Sequence, residues 1–383
     1  MPLPRLKIGY LTANDPHDRR SWSGTHYYMA RALQQYCGDV VPLGPIAPNG
    51  EFLHKAVRKG LRLLFGQNYL YSHTSSFARQ QAAIAERRLT LHPCDIIFAP
   101  SAAGQLAYLK TSLPVVYVSD ATFNQVLNYY PEFSNVLAVS RRGGEEIERA
   151  AISRADLLIY PSSWAAASAR NFYGANAGKV HVVPFGANVD DLPTIDMLFN
   201  RPASDVCRLL FVGVDWVKKG GELAYETCRV LNDRGIPASL TIVGCTPPKT
   251  IIHPRVTVVP FLDKNSPSQR RALSELYVNA DFFILPTRAE CYGLVYCEAN
   301  AFGLPAIGTD TGGVSEIVRN GENGYLLPVG AGGGDYAAAI AELYADSERY
   351  RMLREQSRAA FDTRLNWRAW GTAVSGLLNR LVA

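Results

Sequence analysis

The chain has 383 residues, enough for two domains at about 150 residues each, and its 48% hydrophobic and 19% charged composition excludes a disordered chain, a collagen-like repeat and a coiled coil. Its net charge of +5, from 39 basic and 34 acidic residues, is too weak to argue for nucleic acid and fits an anionic small ligand or an anionic membrane surface. The longest apolar runs, such as Leu209–Val214 and Phe282–Pro286, fall far short of the ~20 residues of a spanning helix, and the N-terminal stretch has no apolar signal-peptide core.

In chain order, a short apolar strand, Leu6–Thr12, leads through the polar loop Asn14–Ser23 to Gly24 and a helical period from Thr25 to about Tyr36. In Phe52–Leu64 the residues Leu53, Val57, Leu61 and Leu64 recur at helical spacing, flanked by Lys55, Arg58, Lys59 and Arg62. Two readings stand: a basic amphipathic helix lying on an anionic bilayer, or a domain helix with its apolar face in the core. Strand candidates follow at Asp95–Ala99, Val115–Val118, Leu157–Tyr160 and Val180–Val183, with helices at Gly144–Ser153 and Trp164–Tyr173. The aperiodic stretch Asn188–Asp205 reads as a linker.

A second alternating series begins at Arg208. Its strands are Leu209–Gly213, Ser239–Val243, Val256–Val259, Phe282–Leu285 and Ala306–Ile307. Its helices are Gly220–Arg234, Ser268–Asn279, Leu294–Phe302 and Asp335–Tyr344, and Glu348–Ala360 and Trp367–Leu381 close the chain. Strands alternating with helices imply parallel α/β sheets. The expected organisation is two Rossmann-like domains facing an interdomain cleft: 1–187, a linker at 188–204, and 205–364, with the closing helix 365–383 crossing back onto the first domain.

The most informative segment runs from Pro286 to Pro305. Glu290 stands in the loop after an apolar strand, Gly293 and Leu294 open the following helix, and Glu298 lies inside it. Amides at a helix start favour a phosphate, and Gly293 permits close backbone approach. Taken alone, the two glutamates are also consistent with a loop charge and a solvated helix charge. Thr309–Val318 with its Gly312-Gly313 pair, Asn320–Leu326, and Phe211-Val-Gly213 with Lys219-Gly220 a few residues on complete the pattern.

Together these residues resemble the E-x7-E signature and distal Gly-Gly motif of the retaining family-4 glycosyltransferases, proteins of the GT-B fold. The resemblance implies transfer of a sugar from a nucleotide-diphosphate donor to an acceptor hydroxyl, with retention of anomeric configuration. The acceptor would be a carbohydrate or a lipid-linked precursor. By position, Glu290 would face the donor sugar, Gly293 and Leu294 the diphosphate, Glu298 the ribose hydroxyls, and Lys219 the departing diphosphate. Val214 stands where the family usually has an arginine, and Lys218 is the neighbouring candidate for that charge, or an exposed lysine at a helix start. Trp216 would line the cleft or pack beside the linker. The turn at Val259–Leu262, with Phe261, matches the place where the family holds the nucleobase.

In the first half, Gly24 matches the family's glycine loop near the transferred group; the alternative is a helix entry capped by Ser23. Ser119 stands where the family usually has a histidine, and the adjacent Asp120 would contact a donor-sugar hydroxyl or polarise the acceptor, or cap the next turn. His26 reads as an acceptor-site residue or a structural histidine, and Ser162 and Ser163 as site residues or helix caps.

No D-x-D occurs in the chain, so no obligatory metal and no cofactor beyond the donor substrate is expected. The seven cysteines are scattered without a C-x-x-C, so reduced thiols in a cytoplasm are expected, with peripheral contact at the inner face of the membrane as an extension. An epimerase or phosphorylase on the same fold, or a non-catalytic sugar-nucleotide binder, are the rivals. A nicotinamide enzyme is disfavoured because no G-x-G-x-x-G follows the first strand.

Overall fold

The computed structural model of the protein describes residues 5–46, 51–190, 192–200, 204–251 and 253–382, with the backbone alone at 51–56. The chain divides into two compact units: residues 1–183 with 370–383, and residues 184–369.

In the first unit, strands β1 (Leu6–Tyr10), β2 (Gly38–Pro42), β3 (Ile96–Pro100), β4 (Val115–Val118), β5 (Leu157–Tyr160) and β6 (Val180–Val182) form one parallel sheet in the order β2-β1-β3-β4-β5-β6. The helices are α1 (Thr25–Tyr36), α2 (Glu51–Phe65), α3 (Ser75–Leu91), the short α4 (Ala103–Leu106) and α5 (Phe123–Val126), α6 (Ala138–Arg154) and α7 (Ser163–Asn171). Strands β3, β4 and β5 are buried throughout, as expected where helices cover both faces of a parallel sheet. The strand β2, absent from the sequence expectation, pairs with β1 from Leu6↔Gly38 to Tyr10↔Pro42 and closes one edge.

In the second unit, α8 (Ile195–Phe199) precedes β7 (Cys207–Val212), α9 (Gly221–Asp233), β8 (Ala238–Val243), β9 (Val256–Val259), α10 (Pro267–Asn279), β10 (Phe282–Leu285), α11 (Leu294–Ala301), β11 (Ala306–Thr309), β12 (Gly324–Leu327), α12 (Gly333–Ala345) and α13 (Ser347–Thr363). Helix α14 (Trp367–Val382) begins here and runs into the first unit. The parallel sheet has the order β12-β11-β10-β7-β8-β9. Numbered within the unit, that is the 3-2-1-4-5-6 order of a doubly wound sheet, with its switch point between β7 and β10.

The stretch read as a linker is built into the second unit. Thr194 caps α8 through Met197 N, and Arg354 donates to Leu198 O. Asp190 pairs with Arg270 at 3.3 Å. Its residues Asp191 and 201–203 lie outside the described residues. Both passages of the chain between units are joined within the second unit. Ala187 N donates to Leu365 O at 2.9 Å, Trp367 Nε1 donates to Asn188 Oδ1 at 3.0 Å, and the Phe185 and Trp367 rings stack at 6.0 Å.

Candidate functional site

In the second unit the two loops flanking the switch point are fastened to each other. After β7, Asp215 turns the chain by accepting from Lys218 N at 2.8 Å and Lys219 N at 3.1 Å. Gly220 then sits at φ +74°, where a Cβ would lie 1.9 Å from Pro286 O. Only glycine fits a left-handed position that meets foreign backbone so closely. From the β10 side, Arg288 N and Thr287 Oγ1 both donate to Lys218 O. The result is an ion pair between Lys219 Nζ and Glu290 Oε2, with side chains 17% and 11% exposed. Lys218 is half-buried, and Val214 is exposed. Trp216 is buried against Phe211, under Gly221, so it packs beneath the loop.

Gly293, at φ +95°, starts α11, and no side chain caps that helix. The first amides of a helix have no partner within it, so the peptide N–H groups around Leu294 form a positive end beside the Lys219–Glu290 pair. The distal motif braces this helix from behind. Gly313 N donates to Cys291 O, and Asn323 donates to Asn300 Oδ1 and Ile317 O.

Glu298 is almost fully buried, at 1% exposure. Its Oε1 is paired with Lys264 Nζ, and its Oε2 accepts from Tyr277 OH at 3.2 Å. Lys264 and Tyr277 were not singled out by sequence, because neither belongs to a spaced motif; Lys264 stands two residues past the Val259–Leu262 turn. Phe261, in that turn, is 53% exposed beyond the edge strand β9.

In the first unit, Trp22, Ser23 and Gly24 have φ of 48°, 56° and 90°, three left-handed residues in a row ahead of α1. Gly24 itself is the N-cap, with no side-chain cap bond, so Ser23 does not cap this helix. Thr25 Oγ1 donates to Trp22 O at 2.6 Å and closes the turn. The indole Nε1 of Trp22 donates to Asp120 Oδ2 at 3.2 Å, which brings the loops after β1 and β4 together. His26 is wholly buried between Tyr10 and Thr12, and burial pushes its pKa down to about 4, so it is a neutral packing group. Ser119 donates to Ala121 O at 2.7 Å. Ser162 caps α7 by accepting from Ala165 N.

Among the described residues, no group of three or more His, Cys, Asp or Glu could hold a metal ion, and all seven cysteines are free. Nor is any described helix long and apolar enough to cross a membrane.

Two doubly wound units, one carrying a lysine, a carboxylate and an uncapped helix end at its switch point, define the class: a protein of the GT-B fold. Residues 207–346 match the family model described as Glycosyl transferases group 1, and residues 25–191 match that of Glycosyltransferase Family 4. The chain belongs to the family-4 glycosyltransferases.

A D-inositol 3-phosphate glycosyltransferase of Geodermatophilus obscurus is 31% identical over 297 residues, 72% of this chain and 62% of that protein. The first curated relatives, all D-inositol 3-phosphate glycosyltransferases, are spanned over only 54% to 62% of their own length. Sucrose-phosphate synthase of Thermosynechococcus elongatus shares the fold with a TM-score of 0.69 at 19% identity, over 98% of this chain and 99% of that one. Anabaena HepE, solved with UDP and glucose, does so with a TM-score of 0.64 at 15% identity, over 98% and 99%.

Proposed function

We propose that the protein transfers a glycosyl group from a nucleoside-diphosphate sugar to an acceptor hydroxyl of a carbohydrate or lipid-linked precursor, with retention at the anomeric carbon. The observation that carries this reading is the Lys219–Glu290 pair beside the uncapped start of α11. HepE, of the same fold, is solved with UDP and glucose, and the relatives named above are glycosyltransferases; both support the reading.

When the glycosidic bond to the diphosphate breaks, negative charge grows on the leaving phosphate oxygens and positive charge on the sugar ring. Lys219 and the amides around Gly293 and Leu294 would stabilise the first, and the Glu290 carboxylate would balance the second. Both groups are already held in one geometry by their mutual pairing, so little reorganisation is left for the reaction itself. Attack from the leaving-group face, with a donor phosphate oxygen taking the acceptor proton, gives retention without a protein nucleophile. Asp120, held by Trp22, is the first unit's candidate for a sugar or acceptor hydroxyl, with Gly24 as its close-approach position. Charge neutralisation by side chains and amides leaves no task for a metal, so activity should survive chelation with EDTA.

The test is nucleoside-diphosphate release from a panel of UDP, GDP and ADP sugars, with and without carbohydrate acceptors, read by labelled product. Acceptor-dependent release that retains configuration is expected. Epimerised donor without acceptor, or no turnover of any donor, would overturn the reading.

Peripheral membrane contact is proposed with it. At the C-terminal end of α2 the apolar Leu63, Leu64 and Phe65 are 75%, 78% and 66% exposed, beside the exposed cations Arg58, Lys59 and Arg62. An apolar tip ringed by positive charge suits an anionic bilayer. The side chains of Leu53 and Lys55 lie outside the described residues.

A further inference from the structure

The acidic residue assigned to the ribose is not open to solvent. Glu298 presents 2% of its side chain, while its partner Lys264 presents 19%. Tyr277, itself 2% exposed and stacked on Phe302 at 5.0 Å, holds the other carboxylate oxygen from the buried side. A hydroxyl approaching this carboxylate from solvent therefore meets the lysine first.

The loop that carries Lys264 is fixed at its backbone. Arg270 Nη1 donates to Lys264 O at 2.7 Å, Gln269 Oε1 accepts from Asp263 N at 2.6 Å, and Asp263 Oδ1 accepts from Asn265 N at 2.8 Å. Movement is thus left to the four-carbon side chain. That side chain already has a second partner, because Nζ also donates to Asn188 O at 3.4 Å.

We infer that Lys264 is a specificity-determining residue for the sugar nucleotide: its ammonium covers Glu298 and competes with the ribose hydroxyls for the same carboxylate oxygen, turning toward Asn188 O when a ribose binds. This rests on the donor reading given above. Lys264 sets how strongly the protein distinguishes a ribonucleotide from one lacking the 2′- and 3′-hydroxyls. In its absence Tyr277 is the one donor left to the buried carboxylate among the described residues, and the ribose hydroxyls become its best remaining partners.

The experiment uses the full chain and titration calorimetry with the tightest of UDP, GDP and ADP and with its 2′,3′-dideoxy counterpart. The readout is the ratio of the two Kd values, which cancels any general effect of the lysine's charge on the diphosphate. Lys264→Met should raise the preference for the ribonucleotide by roughly threefold or more, the scale of part of a charged hydrogen bond. Lys264→Arg, which keeps the buried charge compensated and grips the carboxylate with a fork of donors, should lower the preference toward parity. Should Lys264→Met fail to fold, Lys264→Arg decides alone. A wild-type protein that prefers the ribonucleotide, with the ratio unchanged in the variants that fold, overturns the inference and leaves the donor reading intact. A wild-type protein that binds none of the three diphosphates overturns the donor reading, and this inference with it.

Discussion

Lys219 and Glu290 sit on different loops, 71 positions apart, and meet because Gly220 lets one loop lie against the other. Lys219→Met or Glu290→Gln should lower kcat by about 10²–10³ in protein that still folds, as removing one transition-state stabiliser typically does. Steady-state kinetics with far-UV circular dichroism as the fold control would check this. Two buried groups of the first unit, His26 and Glu148, have opposed pH sensitivities. His26, at about 4 against an ordinary 6.5, is neutral when folded, so stability is present above about pH 6.5 and is lost as pH falls toward 4. Burial lifts Glu148 from 4.5 to about 8; it is protonated when folded, so its contribution is complete below pH 4.5 and is lost as pH rises toward 8. Glu148→Gln, with Tyr117 OH still beside it, should raise the unfolding midpoint at pH 8 by about 3 °C or more and leave the midpoint at pH 5 nearly unchanged. An equal shift at both pH values would show that Glu148 folds charged. The motif glutamates and Lys219 are reached through the resemblance of their segments to the family, not through their spacing alone. Lys264 and Trp22 could not be reached that way, because each acts through a partner distant in sequence, at 34 and 98 positions.

Among the elements, the strands most readily read were those buried on both faces, since continuous apolar runs mark them. Two strands were missed, β2 and β12, and both are sheet edges. Edge strands pair on one side only, so they need no continuous apolar run: β2 carries Asp39 and Pro42, and β12 opens on Gly324. The glycine between β7 and α9 has a clear role in the structure that a single residue type could not announce. Gly220→Ala places a methyl against Pro286 O, so the β7 or β10 loop must shift and separate Lys219 from Glu290. Loss of activity to the level of Lys219→Met, with the sheet retained, is expected from the same kinetic assay. For α2, the periodicity could be read but its environment could not: Val57 and Leu64, two members of the stripe, are exposed at 44% and 78%. Leu63→Ser with Phe65→Ser should reduce co-sedimentation with phosphatidylglycerol vesicles at least about fivefold and leave turnover of a soluble donor unchanged. Equal sedimentation of wild type and variant, or binding that ignores lipid charge, would remove the membrane from the proposal.

At the scale of the molecule, two α/β halves were plain from the alternation of strands and helices. The strand orders were not, because order depends on which crossover each helix makes. The structure puts the unit boundaries at Val183/Pro184 and Ala369/Trp370, so the second unit takes in the whole of the expected linker 188–204, and the segments around Asn188 and Leu365 bond to each other inside it. The second unit is one continuous stretch, 184–369, and the first is not. Trp370 is 1% exposed and packs edge-on against Phe98 of β3 at 6.1 Å; Gly371 lies against Tyr36. Expressed alone, 184–369 should fold and bind a nucleoside diphosphate in calorimetry. Trp370→Ala in the full chain should cost about 3–5 kcal/mol in the first unit, seen by denaturant titration. A fragment that stays unfolded, or a Trp370→Ala protein as stable as wild type, would contradict this division.

The sharing of α14 has a further consequence, for biosynthesis. Chains emerge from the ribosome N-terminus first, yet the unit that emerges first depends on residues made after the whole of 184–369. Until Trp370 and its neighbours leave the exit tunnel, the groove beside Phe98 and Tyr36 is left without its cover, and the later half can complete its core before the earlier one. Stalled nascent chains ending at residue 369 and extended by an unstructured linker that fills the exit tunnel should therefore show protease resistance in 184–369 but cleavage in 1–183, and resistance of both at that length would refute this order of maturation.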